Sequence, residues 1–274
     1  MSITSFPNAK INIGLYVVEK RPDGYHNLET IFYPLPVCDK LVVEEVPHQK
    51  ASCSLVVEGI PVTIDQEDNL IVKAYRMLEK EFKLGHTAVQ LTKTIPFGAG
   101  LGGGSSDAAF MLKSLNELYK LGLTAAELEE YAVRLGADCA FFIRNTPVFA
   151  GGIGNIFTPV ELSLKGYQYL LVKPDVHVST PEAYRGVKPR RPAFSLKESI
   201  QLPVEQWKER ITNDFETSVF DRHPLIASLK EKMYAEGAVY ATMSGSGSSV
   251  VGIFPDHQSL PEMPAPLISF SGIF

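Results

Sequence analysis

Apolar and polar positions alternate or recur along the chain in patterns that mark its elements. Residues 11–18 and 28–33 are rich in Ile, Val, Leu and aromatic side chains, as strands are. Between them R-P-D-G-Y-H (21–26) supplies Pro and Asp-Gly, the residues of a tight turn. Residues 41–46 and 54–58 alternate apolar and polar like half-exposed strands. Residues 69–82 place Leu70, Ala74, Met77 and Leu78 at helical spacing, which predicts an amphipathic helix. Residues 88–95 predict another strand. Beyond it Ala108, Met111, Leu112, Leu115 and Leu118 fall three or four apart and predict a second helix. Thr124-Ala-Ala-Glu127 is a capping box that opens a third, through Leu128, Ala132 and Leu135, and Gly136 ends it.

Glycine then becomes frequent (Gly151, Gly152, Gly154), so a domain boundary is expected just beyond, giving domains at 1–155 and 156–274. The second half predicts a strand at 169–172, a Pro- and Arg-rich loop at 186–192, and a helix at 224–236 stopped by Gly237. Strands at 238–243 and 249–254 are joined by S-G-S-G-S (244–248), and the apolar tail 267–274 adds a last strand. Strands, then helix, then paired strands make an α+β chain. No internal repeat is present.

The 274 residues are 45% apolar and 21% charged, the composition of a globular protein able to bury its own core. A net charge of −5 argues against general nucleic-acid binding, which needs a basic face. It also means that an anionic substrate must be held by local positive groups. Three cysteines (Cys38, Cys53, Cys139), odd in number and without C-x-x-C spacing, suit a reducing compartment and no zinc site. No run of 18 apolar residues and no apolar leader occur, so neither a membrane span nor a signal peptide is expected, and the expected location is cytoplasmic.

The chemistry concentrates at 94–111, T-I-P-F-G-A-G-L-G-G-G-S-S-D-A-A-F-M. Five glycines (Gly98, Gly100, Gly102, Gly103, Gly104) precede Ser105, Ser106 and Asp107 and the second helix. Glycines let main-chain N–H groups face an anion closely, and a helix start adds unpaired N–H groups and roughly half a positive charge. The two together predict a phosphate site rather than a flexible linker. Gly98, Gly100 and Gly103 also satisfy G-x-G-x-x-G, which keeps an NAD-dependent oxidoreductase as an alternative. Its context is wrong: the preceding strand alternates and carries Lys93, whereas a dinucleotide-binding first strand is continuously apolar. No Lys-Ser/Thr follows the glycines, so the Walker pattern fails as well.

P-F-G-A-G-L-G-G-G-S-S-D-A-A resembles the phosphate loop of the galactokinase–homoserine kinase–mevalonate kinase–phosphomevalonate kinase superfamily. P-N-A-K-I-N-I-G-L-Y (7–16) with R-P-D-G-Y-H-N-L-E-T (21–30), L-G-A-D-C-A-F-F (135–142) and M-S-G-S-G-S-S (243–249) are similar to one branch of it. Members of that branch phosphorylate a cytidine diphosphate sugar alcohol in the non-mevalonate route to isoprenoid precursors. The stretches stand in the expected order and span nearly the whole chain. The resemblance implies a two-domain small-molecule kinase fold: an N-terminal α/β domain with a mostly antiparallel sheet, a ferredoxin-like C-terminal domain, and the active site in the cleft between them. It also implies ATP and Mg²⁺, and a monomer or homodimer that binds neither nucleic acid nor membrane. Other superfamily members, of mevalonate or homoserine type, are the nearer alternatives. A nucleotide-binding sensor without turnover is a third.

Phosphoryl transfer needs positioning and charge neutralisation above all. The resemblance assigns Asp138 as the base that takes the substrate hydroxyl proton and Lys10 as the charge that supports it. By sequence alone Asp138 is equally an N-cap of a short helix, and Lys10 an ordinary surface lysine. Pro96, Gly98, Ala99, Gly100, Leu101, Gly102, Gly103, Gly104, Ser105 and Ser106 form the implied ATP loop. Ser105 and Ser106 double as helix caps, and Ser106 is the candidate metal ligand. Asn69 is an N-cap or a contact to the nucleotide base. The implied substrate set is Asn12, Tyr25 as an aromatic platform for cytosine, His26 at its edge, Tyr184 as a second aromatic, and Gly245, Ser246 and Gly247 of the second glycine loop. Lys188, Arg190 and Arg191 are a solvated basic loop or an anion contact. His48, His86, His177, His223 and His257 lack ligand spacing and read as surface residues.

Overall fold

The alternating and helical patterns translate, among the described residues, into twelve strands and eight α-helices, seen in a computed structural model that describes residues 1–47, 52–61, 65–263 and 267–274. The first half holds β1 (Ser2–Ser5), β2 (Asn8–Lys20), β3 (His26–Cys38), β4 (Lys40–Val46), β5 (Cys53–Gly59), α1 (Leu70–Glu79), β6 (His86–Lys93), α2 (Gly103–Leu118), α3 (Ala125–Leu135) and the single turn α4 (Phe141–Arg144). The second half holds β7 (Val148–Gly151), β8 (Ile156–Pro159), β9 (Tyr167–Lys173), α5 (Thr180–Tyr184), α6 (Leu196–Ser199), α7 (Phe215–Arg222), α8 (Pro224–Ala235), β10 (Tyr240–Met243), β11 (Val250–Pro255) and β12 (Ile268–Ile273). His48 lies outside the described residues.

These elements form two compact units that are not consecutive in sequence. One comprises Met1–Ala9, Val37–Phe97 and Gly102–Thr146; the other comprises Lys10–Pro36, Gly98–Leu101 and Pro147–Phe274. The long strands β2 and β3 each run from one unit into the other, so a single cut in the sequence does not divide the chain by contacts. The glycines expected to mark a boundary turn the β7–β8 hairpin, with Gly151 opposite Ile156 and positive φ at Gly152 and Gly154. The cut at 155/156 therefore falls inside a paired hairpin.

In the first unit the sheet order is β1-β4-β6-β5, antiparallel except for the parallel pair β5–β6. The face of α2 predicted by its spacing (Ala108, Met111, Leu112, Leu115, Leu118) is buried, each large side chain contributing about 1.5–3 kcal/mol. On α1 the buried residues are Ile71, Val72, Ala74, Tyr75 and Leu78, with Leu70 and Met77 only half-buried at their edge. The helix is turned from the expected face because α1 packs against both α2 and α3.

The second unit contains a sheet of order β2-β3-β7-β8 and another of order β10-β11-β9-β12. In the latter every neighbouring pair is antiparallel. Numbered by chain order the four strands lie 4-1-3-2, which is the ferredoxin-like arrangement. Helices α7 and α8 bury Phe215, Val219, Ile226, Leu229 and Met233 against Leu170, Val172, Met243 and Val250 of that sheet. Strand β3 outruns the expected 28–33 through Pro34 and Pro36. Its partner β7 pairs only with residues 30–32, so that edge asks no N–H of either proline.

Candidate active site

In the first unit the glycine run enters α2 without a side-chain cap. Gly102, at φ 70°, is the N-cap residue, and the serines follow inside the first turn. The expectation that Ser105 and Ser106 cap the helix is therefore corrected: the left-handed step at Gly102 starts the helix at Gly103, ahead of both serines. The N–H groups of Gly103, Gly104 and Ser105 precede the first intrahelical bond, from Ser106 N–H to Gly102 O at 2.9 Å. A Cβ placed on Gly104 meets nothing within 4 Å, so the space above this helix start is open. Ser106 is fully buried, and its Oγ has no hydrogen-bond partner among the described residues. Asn69 caps α1, its Oδ1 accepting from Ile71 N–H at 2.9 Å.

Asp138 sits half-buried in the turn between α3 and α4. It is not a cap, because the N-cap of α4 is Ala140, with no side-chain bond. Its neighbour Cys139 is buried, and burial first, Asp138's charge last, pushes that thiol up to about 12, while a hydrogen bond from Ser105 opposes the shift. Gly136 ends α3 in extended backbone (φ 173°), a conformation open to any residue.

In the second unit β2 presents two polar side chains from a buried run. Lys10 is 4% exposed, donates to Asn12 Oδ1 at 2.6 Å and lies 4.7 Å from the centre of the Phe32 ring. It is therefore no ordinary surface lysine. Asn12 in turn donates from Nδ2 to Thr30 Oγ1 at 3.0 Å and from its backbone N–H to Ser244 Oγ at 3.2 Å. Ser244 Oγ donates to Gly100 O at 2.8 Å, and Ser249 N–H donates to Ala99 O at 3.3 Å. The S-G-S-G-S loop thus packs on residues 99 and 100 of the glycine run, and any Cβ at Gly100 would run into the Ser244 carbonyl.

Sequence reasoning missed Asn213. Buried, it donates from Nδ2 to the carbonyls of Met243 and Gly245, both at 2.8 Å, and so fixes the serine-glycine loop from behind. Nothing in T-N-D at 212–214 signals this, because the partner carbonyls lie about 30 residues away in sequence.

At the far end of β2 the R-P-D-G-Y-H turn closes through Arg21 N–H to Tyr25 O at 2.8 Å and Gly24 N–H to Arg21 O at 3.1 Å. His26 stacks on Tyr184, ring centres 4.8 Å apart and planes 23° apart, and Tyr184 meets Phe215 edge-on. The structure brings His26 and Tyr184 together, whereas Tyr25 is 63% exposed beside them. Burial raises the Tyr184 hydroxyl above its usual range. Lys188, Arg190 and Arg191 are exposed. His177 and His257 are exposed, while His86 and His223 are half-buried; His86 bonds to Ser52 at 2.6 Å and His223 to Glu182 at 3.0 Å.

These features define a class. The family model for the GHMP kinase N-terminal domain matches residues 69–146, and that for the C-terminal domain matches residues 197–268, so the protein falls among the GHMP kinases. The chain is 58% identical over 258 residues to the 4-diphosphocytidyl-2-C-methyl-D-erythritol kinase of Bacteroides thetaiotaomicron, covering 94% of each. It is 59% identical over 254 residues to the enzyme of that name in Parabacteroides distasonis, covering 92% of each. A crystal structure of 4-(cytidine 5'-diphospho)-2C-methyl-D-erythritol kinase matches with a TM-score of 0.79 at 34% identity, over 93% of this chain and 92% of that one. The chain belongs to the 4-diphosphocytidyl-2-C-methyl-D-erythritol kinase family. The oxidoreductase alternative falls with this result: the strand ahead of the glycines, β6, is half-exposed and lies antiparallel to β4 as well as parallel to β5, where a dinucleotide-binding first strand is buried on both faces.

Proposed function

We propose that this protein transfers the γ-phosphoryl group of ATP to the 2-hydroxyl of 4-(cytidine 5'-diphospho)-2-C-methyl-D-erythritol. The near-full-length identity to kinases named for that substrate carries the reading. The open helix start at Gly104 supports the ATP end of it.

The amides of Gly103, Gly104 and Ser105 hold phosphate oxygens, with Pro96 to Leu101 shaping the approach and Asn69 Nδ2 available to the nucleobase. The orphaned hydroxyl of Ser106 fits a phosphate oxygen or a Mg²⁺ ion, which it would hold together with the nucleotide's own phosphates. A Mg²⁺ ion held there would supply charge neutralisation on the transferring group. Asp138 accepts the proton of the substrate hydroxyl, a role typically worth ~10²–10⁴-fold. Lys10, held in line by Asn12, offsets the negative charge that gathers at the reacting centre. At the other end His26 and Tyr184 offer a π-face and a polar edge to cytosine, with Tyr25 free to swing onto it. Gly245, Ser246 and Gly247 offer backbone to the substrate phosphates.

A coupled ADP-release assay over the cytidine substrate, mevalonate and homoserine tests the assignment. Turnover with the cytidine substrate alone is expected. Equal or faster turnover of either small alcohol would overturn it, and ATP binding with no phosphoryl product on any alcohol would mark a sensor.

A further inference from the structure

The reaction as described leaves unused a buried ion cluster beneath the phosphate loop. Lys93, Asp39 and Asp107 are each no more than 5% exposed. Lys93 Nζ donates to Asp39 Oδ2 in a short contact and to Asp107 Oδ2 at 2.8 Å. Asp39 Oδ1 accepts the backbone N–H groups of Thr94 at 2.6 Å and Ile95 at 2.8 Å, while the Asp39 N–H donates to Pro7 O at 2.8 Å. The same ammonium lies 3.3 Å from the point where a Cβ on Gly103 would stand, with Ile95 Cγ2 at 2.9 Å from that point. One cluster therefore grips three pieces: the segment leaving β6, the link between β3 and β4, and the start of α2, which it holds through Asp107 one turn beyond Gly103.

Such clusters are poor stabilisers, because desolvating the ions offsets most of their attraction and an apolar substitute often serves as well. What they do well is fix register, since each hydrogen bond has one geometry. Here burial raises the Asp107 carboxyl while Lys93 opposes the shift, and Asp107 Oδ1 has no partner among the described residues. The cluster is thus maintained against its own solvation, directly under the amides assigned to ATP.

We infer that Asp39, Lys93 and Asp107 are positioning residues for ATP, locking the first turn of α2 to the end of β6 so that the Gly103–Ser105 amides keep one direction. This rests on the triphosphate binding at that helix start.

Steady-state kinetics on Lys93→Met, Asp107→Ala and Asp107→Asn, with circular dichroism and melting curves, test it. Lys93→Met and Asp107→Ala should raise the KM for ATP at least about tenfold, with the KM for the cytidine substrate within about threefold. Asp107→Asn keeps an oxygen facing Lys93 and should recover most of the loss. An ATP KM that stays within about threefold in folded Lys93→Met and Asp107→Ala, or an Asp107→Asn no better than Asp107→Ala, overturns the inference. If Lys93→Met does not fold, the Asp107 pair decides. Gly104→Ala separates the two readings, since it alters the cradle without touching the cluster. If it leaves the ATP KM unchanged, the triphosphate site itself is wrong. If it raises the ATP KM while the cluster variants do not, only the positioning role fails.

Discussion

Gly104 shows how a single residue separates structure from function. It stands in the first turn of α2, where a Cβ would touch nothing, so no steric reason demands glycine there. Glycine in a helix costs about 1 kcal/mol relative to alanine, and here the fold gains nothing in return. Gly104→Ala should therefore leave the melting temperature unchanged or slightly higher while raising the KM for ATP, as read by thermal melts beside initial rates. A fall in stability without a change in KM would mean that the glycine serves the fold after all. Asp138 and Lys10 make the complementary case. Neither Asp138→Asn nor Lys10→Ala should unfold the protein, and each should lower turnover at least about 100-fold if the charges act on the reacting atoms. Near-parental turnover in either would remove that residue from the mechanism.

Among elements, the loops are fixed from outside themselves. The S-G-S-G-S loop is held by Asn213 through two carbonyls, by Asn12 N–H through Ser244 Oγ, and by Gly100 O through the same hydroxyl. Asn213→Ala removes the shared donor from the Met243 and Gly245 carbonyls, of which Met243 O keeps Thr242 Oγ1 at 3.3 Å, and should cost about 1–3 kcal/mol in urea denaturation. Activity should fall further than the lost stability explains, because the loop faces the polar set on β2. A variant that loses neither would show the loop to be self-supporting. Thr124 illustrates the opposite situation. Its capping box with Glu127 is complete within four residues, Glu127 accepting from Thr124 N–H at 2.8 Å and Thr124 Oγ1 from Glu127 N–H at 3.3 Å. That signal was fully legible in the sequence because donor and acceptor are neighbours there.

For the molecule as a whole, a net charge of −5 means that ATP and an anionic sugar alcohol meet a surface that repels them on average. Their binding has to come from local groups, so it should register as a ligand-linked gain in stability. Nucleotide with Mg²⁺ at 100 times its Kd should stabilise the folded state by about 2.7 kcal/mol, measured as a rise of several degrees in melting temperature. Asp138→Asn should keep that shift while losing turnover; loss of the shift would place Asp138 in nucleotide binding instead. Readable from spacing along the chain were the strands and helices whose apolar pattern is regular, the capping box, the glycine run that leads into α2, and the family to which they belong. All of these rest on residues close together in the chain, where spacing and local chemistry act directly. The extension of β3 through two prolines, the use of Gly151 to Gly154 as a hairpin, the rotation of α1, the burial of Lys10, and the contacts of Asn213 and of the Asp39–Lys93–Asp107 cluster come from tertiary packing alone. Each of those depends on a partner distant in sequence, and whether a proline nitrogen, a lysine or an asparagine is tolerated or required at a site is set by what packs against it.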